Sequence, residues 1–427
     1  MYALRIPTRL LLAALLFLSL PFSSHAYSVL THEALVDANW ERTIEPLLRQ
    51  RYPNATADEL KKARSFAYGG AVSPDMGYYP FGAKLFTNLV HYVRSGDFVQ
   101  ALLDGEHNVN EFAFALGTLC HYMADTYGHP LGTNRSVPVV YPKTGKKFGP
   151  VVTYAQDKVA HLRVEFGFDV LQTARGDYAS ADYHNYIGFN VADTLLDSAF
   201  RKTYGLGLHD VFPNFPLALS TFRWTVKSFF PELTRAAWVM KKGEIRKNHP
   251  GIASRHFIYH MHRKQYFQEF GKAREKPGVF ANVLSFMIRI MPKVGPLRAL
   301  KFKVPDQKAE LYFVQSFDSV VLHYGSFVQA GLPLKQLTDR DFDTGKSTEP
   351  GEYPLCDDAY RALLLELEKK KFTSVDMSLR QNILSFYANP ESLSHAGKHS
   401  KEISEALEKL TTGNSEKVKE KESGYQQ

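Results

Sequence analysis

The chain has 427 residues, with 52 Lys and Arg against 44 Asp and Glu and a formal net charge of +8. That length is ample for a large core in one or two domains. With only Cys120 and Cys356 at most one bridge can form, which excludes a disulfide-stapled scaffold. The positive balance favours anionic partners such as phospholipid headgroups or nucleic acid, although it is spread thinly enough to serve solubility alone.

Residues 1–26 read as a secretory signal peptide. Arg5 and Arg9 precede an apolar run from Leu10 to Phe22, and Ser24, His25 and Ala26 surround a cleavage point. The run is too short for a membrane span, and no later stretch approaches the ~20 apolar residues such a helix needs. Cleavage after Ala26 makes Tyr27 the N-terminus of an exported protein, periplasmic or secreted.

Beyond the leader the pattern is helical almost throughout. Thr31 is placed to cap a helix from His32 to about residue 50, ended by Tyr52, Pro53 and Asn54. Thr56 and Glu59 form a capping-box signature for a helix over 57–68. The stretch GGAVSPDMGYYPFG reads as an irregular loop that carries Asp75. Helices are predicted over 83–94, 97–104 and 110–127, then an excursion over 130–150 with short strands. The helical period returns over 154–172, 184–205, 216–230, 233–246 and 251–272. The rest is helical apart from breaks at 292–305 and 343–353. Residues 342–372 read as a structural loop leading into an amphipathic helix. Residues 411–427 have almost nothing to bury and read as a disordered tail. The predicted class is all-α, a mainly helical domain over 27–410 with a C-terminal helical extension.

The chemistry lies in the histidines. His121 and Asp125 stand four residues apart, on one face of a helix, and His161 and Glu165 repeat the arrangement on another. Zinc suits imidazole nitrogen combined with carboxylate oxygen on rigid elements. Gly117, His121, Asp125 and His129 form one stripe, in which Gly117 leaves room for a partner helix. His32, Asp75 and His91 precede them in order. Either pair alone is more often a plain polar contact, so the weight rests on the ordered set. His107, His184, His209, His249 and His323 read as ordinary helix or surface residues. The cluster His256, His260 and His262 lacks a carboxylate at useful spacing, and His395 and His399 sit near the polar tail.

This ordered set resembles the zinc-dependent phospholipase C family, whose fold is shared with S1/P1-type nucleases and with the catalytic domain of glycosylphosphatidylinositol phospholipase D. The resemblance spans roughly 27–170 and implies an all-α fold holding three zinc ions. It implies that Asp75, His91, His121 and Asp125 bind one zinc. Asp125 would bridge to a second, also held by His32 and by the α-amino and carbonyl groups of Tyr27. His129, His161 and Glu165 would bind the third. Tyr27 stands where well-known members carry tryptophan, and the step from Asp125 to His129 is shorter than in the best-known bacterial enzymes.

The implied activity is phosphodiester hydrolysis, with Asp75 and Asp125 as catalytic residues and a phospholipid as the leading substrate. An extracellular nuclease is the second expectation, and a metal-stabilised, non-catalytic envelope binding protein the third. Tyr78, Tyr79 and Phe81 are placed to line the pocket mouth, or else to pack the loop that carries Asp75. The stretch 283–305 combines apolar residues with Arg289, Lys293, Arg298, Lys301 and Lys303. It suits either peripheral contact with an anionic membrane surface or a buried helix with solvated basic ends.

Overall fold

The computed structural model describes residues 29–175, 189–249, 301–331, 337–388 and 397–424. The described residues are helical and contain no strand, only an isolated antiparallel bridge between Arg340 and Ser347. None of their helices is long and apolar enough to cross a membrane. The segment 1–26 expected to be a signal peptide, Tyr27, the helix expected over 251–272 and the basic stretch 283–300 lie outside them.

Helix α1 (Val29–Asn39) passes through a π-helical turn, Trp40–Ile44, into α2 (Glu45–Arg51). Thr31 does not cap α1, because the helix starts two residues earlier. Its hydroxyl instead donates to Asp169 Oδ1 at 2.8 Å, and the Leu30 amide donates to Asp169 Oδ2 at 3.2 Å. A carboxylate remote in sequence therefore accepts from the start of α1.

Helix α3 (Ala57–Val72) begins with the expected capping box. The Glu59 amide donates to Thr56 Oγ1, and the Thr56 amide donates to the Glu59 carboxylate. The helix then runs past the predicted boundary at 68 into a 3-10 turn, Ser73–Tyr78, so Asp75 sits on ordered backbone and not in an irregular loop. Gly69 and Gly70 do not break α3, because both serve close packing.

Helices α4 (Lys84–Tyr92), α5 (Ser95–Asp104) and α6 (Val109–Gly128) follow. Every residue of α6 over 112–126 is buried, so the helix is enclosed on all sides instead of presenting one apolar face. Each Leu or Phe fully buried there contributes roughly 1.5–3 kcal/mol. Helix α3 lies against it at glycine contacts. A Cβ at Gly70 would sit 2.0 Å from the Phe114 carbonyl oxygen, and one at Gly117 would sit 2.0 Å from that of Ala67.

The excursion over 130–150 is helical, contrary to expectation: a π-helical turn His129–Thr133, α7 (Asn134–Val140) and α8 (Pro142–Phe148). Its valines suggest strands, but Val137 and Val140 are buried, and tertiary packing overrides that preference. Pro142 occupies the first turn of α8, where its missing amide costs nothing.

Helix α9 (Lys158–Arg175) has two buried faces. Phe166, Val170 and Leu171 join a smaller core with Leu233, Ala236, Ala237, Phe302 and Val304, while His161, Glu165 and Asp169 form a buried polar stripe. Helices α10 (Asp193–Tyr204), α11 (Leu208–Val211), α12 (Phe215–Trp224) and α13 (Phe230–Asn248) continue the chain, and α13 packs on α9. Helix α14 (Gln307–Gln329) crosses α1, α6 and α7, and α15 (Pro354–Lys369) packs on α4. Helix α16 (Met377–Tyr387) precedes α17 (Ser400–Gly424), which carries helical backbone into the segment expected to be disordered. Cys120 and Cys356 are buried free thiols.

Candidate metal centre

The donors expected from the sequence arrive from separate elements: His32 from α1, Asp75 from the 3-10 turn, His91 from α4, His121 and Asp125 from α6, His129 from the π-helical turn, and His161 and Glu165 from α9. All eight are buried. Local chemistry aims several of them. Thr87 Oγ1 donates to the Pro74 carbonyl at 2.7 Å and accepts the Gly77 amide at 2.9 Å, tying the turn that carries Asp75 to the helix that carries His91.

The donors form two neighbouring groups. In the first, ligand atoms of His32, His121 and Asp125 lie within 4.8 Å of one another, as do those of Asp75, His91 and His121. The two oxygens of Asp125 face different imidazoles. Oδ1 lies 3.6 Å from His32 Nε2, whereas Oδ2 lies 3.1 Å from His121 Nε2 and 3.7 Å from His91 Nε2. Asp75 Oδ1 is 3.3 Å from His91 Nε2. The His32 and His121 rings stack at 4.3 Å. In the second group, Glu165 Oε1 lies 2.7 Å from His161 Nδ1 and 3.7 Å from His129 Nε2.

Three imidazoles have their tautomers set from behind. His91 Nδ1 donates to the Thr87 carbonyl at 2.9 Å, and His121 Nδ1 donates to the Ala71 carbonyl at 2.7 Å. His161 Nε2 donates to Asn134 Oδ1 at 2.7 Å. Each leaves the other ring nitrogen as a lone-pair donor facing the carboxylates, the arrangement that metal-binding histidines adopt.

A cation fits this donor set. Asp75 Oδ1, His91 Nε2, His121 Nε2, both Asp125 oxygens, His161 Nδ1 and both Glu165 oxygens are buried without a hydrogen-bond partner. Burying so many polar atoms is costly unless a charge or hydrogen bond compensates. In the metal-free chain burial pushes Asp75 up to about 7 and Glu165 well above the carboxylate range. Burial also pushes His91 and His161 down to about 3, with the neighbouring imidazoles His121 and His129 adding to it. For His121 and His129 burial acts downward, but the surrounding carboxylates, led by Asp125, outweigh it and raise both. A divalent ion would hold the carboxylates ionised and the imidazoles neutral.

Tyr27 lies outside the described residues. Tyr78 is buried with its ring edge towards His91 at 6.3 Å, and Tyr79 packs edge-on against Phe222 and Phe230. Phe81 is 49 % exposed with a φ of 62°. His256, His260, His262, His184 and His395 are outside the described residues. His249 is no surface residue: its Nε2 donates to the Pro305 carbonyl at 2.7 Å, and Nδ1 lies 3.2 Å from Glu310. A surface cleft of about 690 Å³, lined by Arg42, Leu103, Glu106, Phe112 and Val328 among others, contains none of the donors. The convergent donors define the site, because size without reactive groups supplies no chemistry.

Sequence reasoning missed Asp343, whose Oδ1 lies 3.5 Å from His129 Nδ1. It comes from the segment read as purely structural. The signal on offer was the alternation Asp339, Asp341, Asp343 ahead of Gly345.

Residues 31–214 match the family model described as zinc dependent phospholipase C, a range that contains all eight donors but not Asp343. No curated protein and no solved structure matches the chain. The match supports a zinc-dependent phospholipase C domain over these residues, and with it a hydrolytic enzyme.

Proposed function

We propose that the protein is a phospholipase C that hydrolyses the phosphodiester of phospholipids between diacylglycerol and the phosphorylated headgroup. The observation that carries this reading is the division of Asp125, whose two oxygens face separate imidazoles and, like Asp75 Oδ1, His91 Nε2 and His121 Nε2, are buried without a hydrogen-bond partner. A carboxylate so placed suits two ions side by side.

Asp75, His91, His121 and Asp125 would hold one zinc, His32, Asp125 and the amino and carbonyl groups of Tyr27 a second, and His129, His161 and Glu165 a third. When bound, zinc supplies Lewis acidity towards a phosphoryl oxygen and acidifies water at neutral pH. Water attacks phosphorus, the bond to the diacylglycerol oxygen breaks, and that oxygen takes up a proton. Asp75 orients the attacking water and accepts its proton, and Asp125 keeps His32 and His121 in register. The role of Tyr27 requires export and cleavage after Ala26, to the periplasm or the exterior.

The test is mass spectrometry of products from mixed phospholipid vesicles, using mature protein stripped of metal and then given zinc. Zinc-dependent diacylglycerol with a phosphorylated headgroup is the expected result. Phosphatidic acid would move the bond cleaved to the other side of phosphorus. Absence of lipid products alongside hydrolysis of nucleic acid would overturn the substrate class.

A further inference from the structure

The family match ends at residue 214, yet a segment over 337–353 from the C-terminal half is stitched onto the metal centre. Ser95 Oγ donates to the Arg340 carbonyl at 2.7 Å, the Tyr122 hydroxyl donates to the Thr338 carbonyl at 2.7 Å, and Asn134 Nδ2 donates to the Asp343 carbonyl at 2.7 Å. Between these ties Phe342 lies over the imidazoles of His91 and His121, with ring centroids at 4.8 and 5.7 Å. Its amide donates to the His91 carbonyl at 3.2 Å.

The three aspartates of this segment do different things. Asp339 Oδ1 accepts the amides of Gly96 and Asp97 at the start of α5. Asp341 closes its own loop by accepting the amides of Asp343 and Thr344. Asp343 turns inward. Its Oδ2 accepts from the hydroxyls of Tyr92 at 2.9 Å and Tyr353 at 2.5 Å, which fixes the carboxylate. Its Oδ1 is buried without a hydrogen-bond partner and faces His129 Nδ1 at 3.5 Å, the outer edge of hydrogen-bond reach.

We propose that Asp343 is a positioning residue of the third metal subsite, the carboxylate that holds His129 by its Nδ1–H so that Nε2 is presented towards Glu165. An imidazole can offer only the nitrogen that its other hydrogen bond leaves free. For His91, His121 and His161 the orienting group is a carbonyl oxygen, whereas for His129 it is a carboxylate, whose charge also makes the ring a stronger ligand. The centre thus depends on a residue well over a hundred positions beyond the end of the family match. This inference rests on the metal-centre reading above.

The experiment is stepwise zinc titration of stripped mature protein against a chelator, comparing wild type with Asp343→Asn, Tyr353→Phe and Asp341→Asn. For Asp343→Asn the expected result is a loss of about 10- to 100-fold in affinity at one zinc site, with the other sites unchanged. Tyr353→Phe should weaken the same site by less. Asp341→Asn, which removes a neighbouring charge from the same loop but keeps its amide contacts and leaves the inward carboxylate, should spare zinc affinity. Unchanged affinity in Asp343→Asn overturns the proposal. So does an equal loss at every site, or an Asp341→Asn variant with the same affinity defect, because either makes the effect one of loop folding. A wild-type protein that takes up no zinc would instead overturn the metal-centre reading itself.

Discussion

The donors around Asp125 and those around Glu165 are supported by different kinds of neighbour. His91 and His121 are oriented by the main-chain carbonyls of Thr87 and Ala71, groups that no side-chain substitution removes. His161 is oriented by the side chain of Asn134, and His129 faces the side chain of Asp343. The first region is assembled within 29–128 and stands on the glycine-mediated packing of α3 on α6. The second gathers residues spread over 129–343. A centre built this way has one part made rigid by backbone and another that single side chains can retune.

The largest expected effect breaks the first region at its shared residue. Asp125→Ala should remove the ions on both sides of that carboxylate and lower phosphodiester hydrolysis by at least about 100-fold. Metal content and turnover measured on one sample check it, and full activity would end the bridged model. Asn134→Ala addresses the second region. It should weaken one zinc by about 10- to 100-fold and leave the bridged pair saturated. If chelator competition shows all sites weakened together, the two regions are not separately supported.

Gly117→Ala sharpens the comparison through packing. The added methyl would meet the Ala67 carbonyl oxygen at 2.0 Å, so α3 and α6 must move apart, at a cost of about 1–3 kcal/mol in chemical denaturation. Zinc affinity should fall at the donors around Asp125 more than at those around Glu165. An unaltered zinc profile would show that helix packing does not set the bridged geometry.

The smallest effect is one in which the regions should agree. Each contains a carboxylate raised by burial (Asp75, Glu165), a lowered histidine (His91, His161) and a raised histidine (His121, His129). Above the ordinary histidine value of 6.5, the raised groups bind more protons folded than unfolded. Their stabilisation is complete at lower pH and is lost as pH rises through their folded values, with Asp75 at about 7. Below 6.5 the lowered histidines, which bind fewer protons folded than unfolded, act in the opposite sense. Metal-free protein should therefore lose Tm from about pH 6.5 upward, and saturating zinc should abolish that slope. A flat metal-free profile across neutral pH would remove these buried groups as its source.

Much of this was legible locally. The pairs His121 with Asp125 and His161 with Glu165 follow from helical periodicity, which sets two side chains on one face without reference to the rest of the molecule. The Thr56 and Glu59 box is likewise a contact between near neighbours. Gly117 marked the close helix contact because only a missing side chain permits it. The segment over 130–150 was misread because valine preference is a weak local tendency, and Val137 and Val140 gain more by burial in helices.

The sequence by itself thus determined the helical class, the donor types and their pairing along each helix, since these depend on residues three or four apart. Tertiary structure alone decided that the hydroxyl of Thr31 would meet Asp169, that Asp125 would turn its two oxygens to different imidazoles, and that Asp343 would reach His129. Those contacts join residues as far apart as 31 and 169 or 129 and 343. Their partners are chosen by how whole helices pack, a choice that no local pattern encodes.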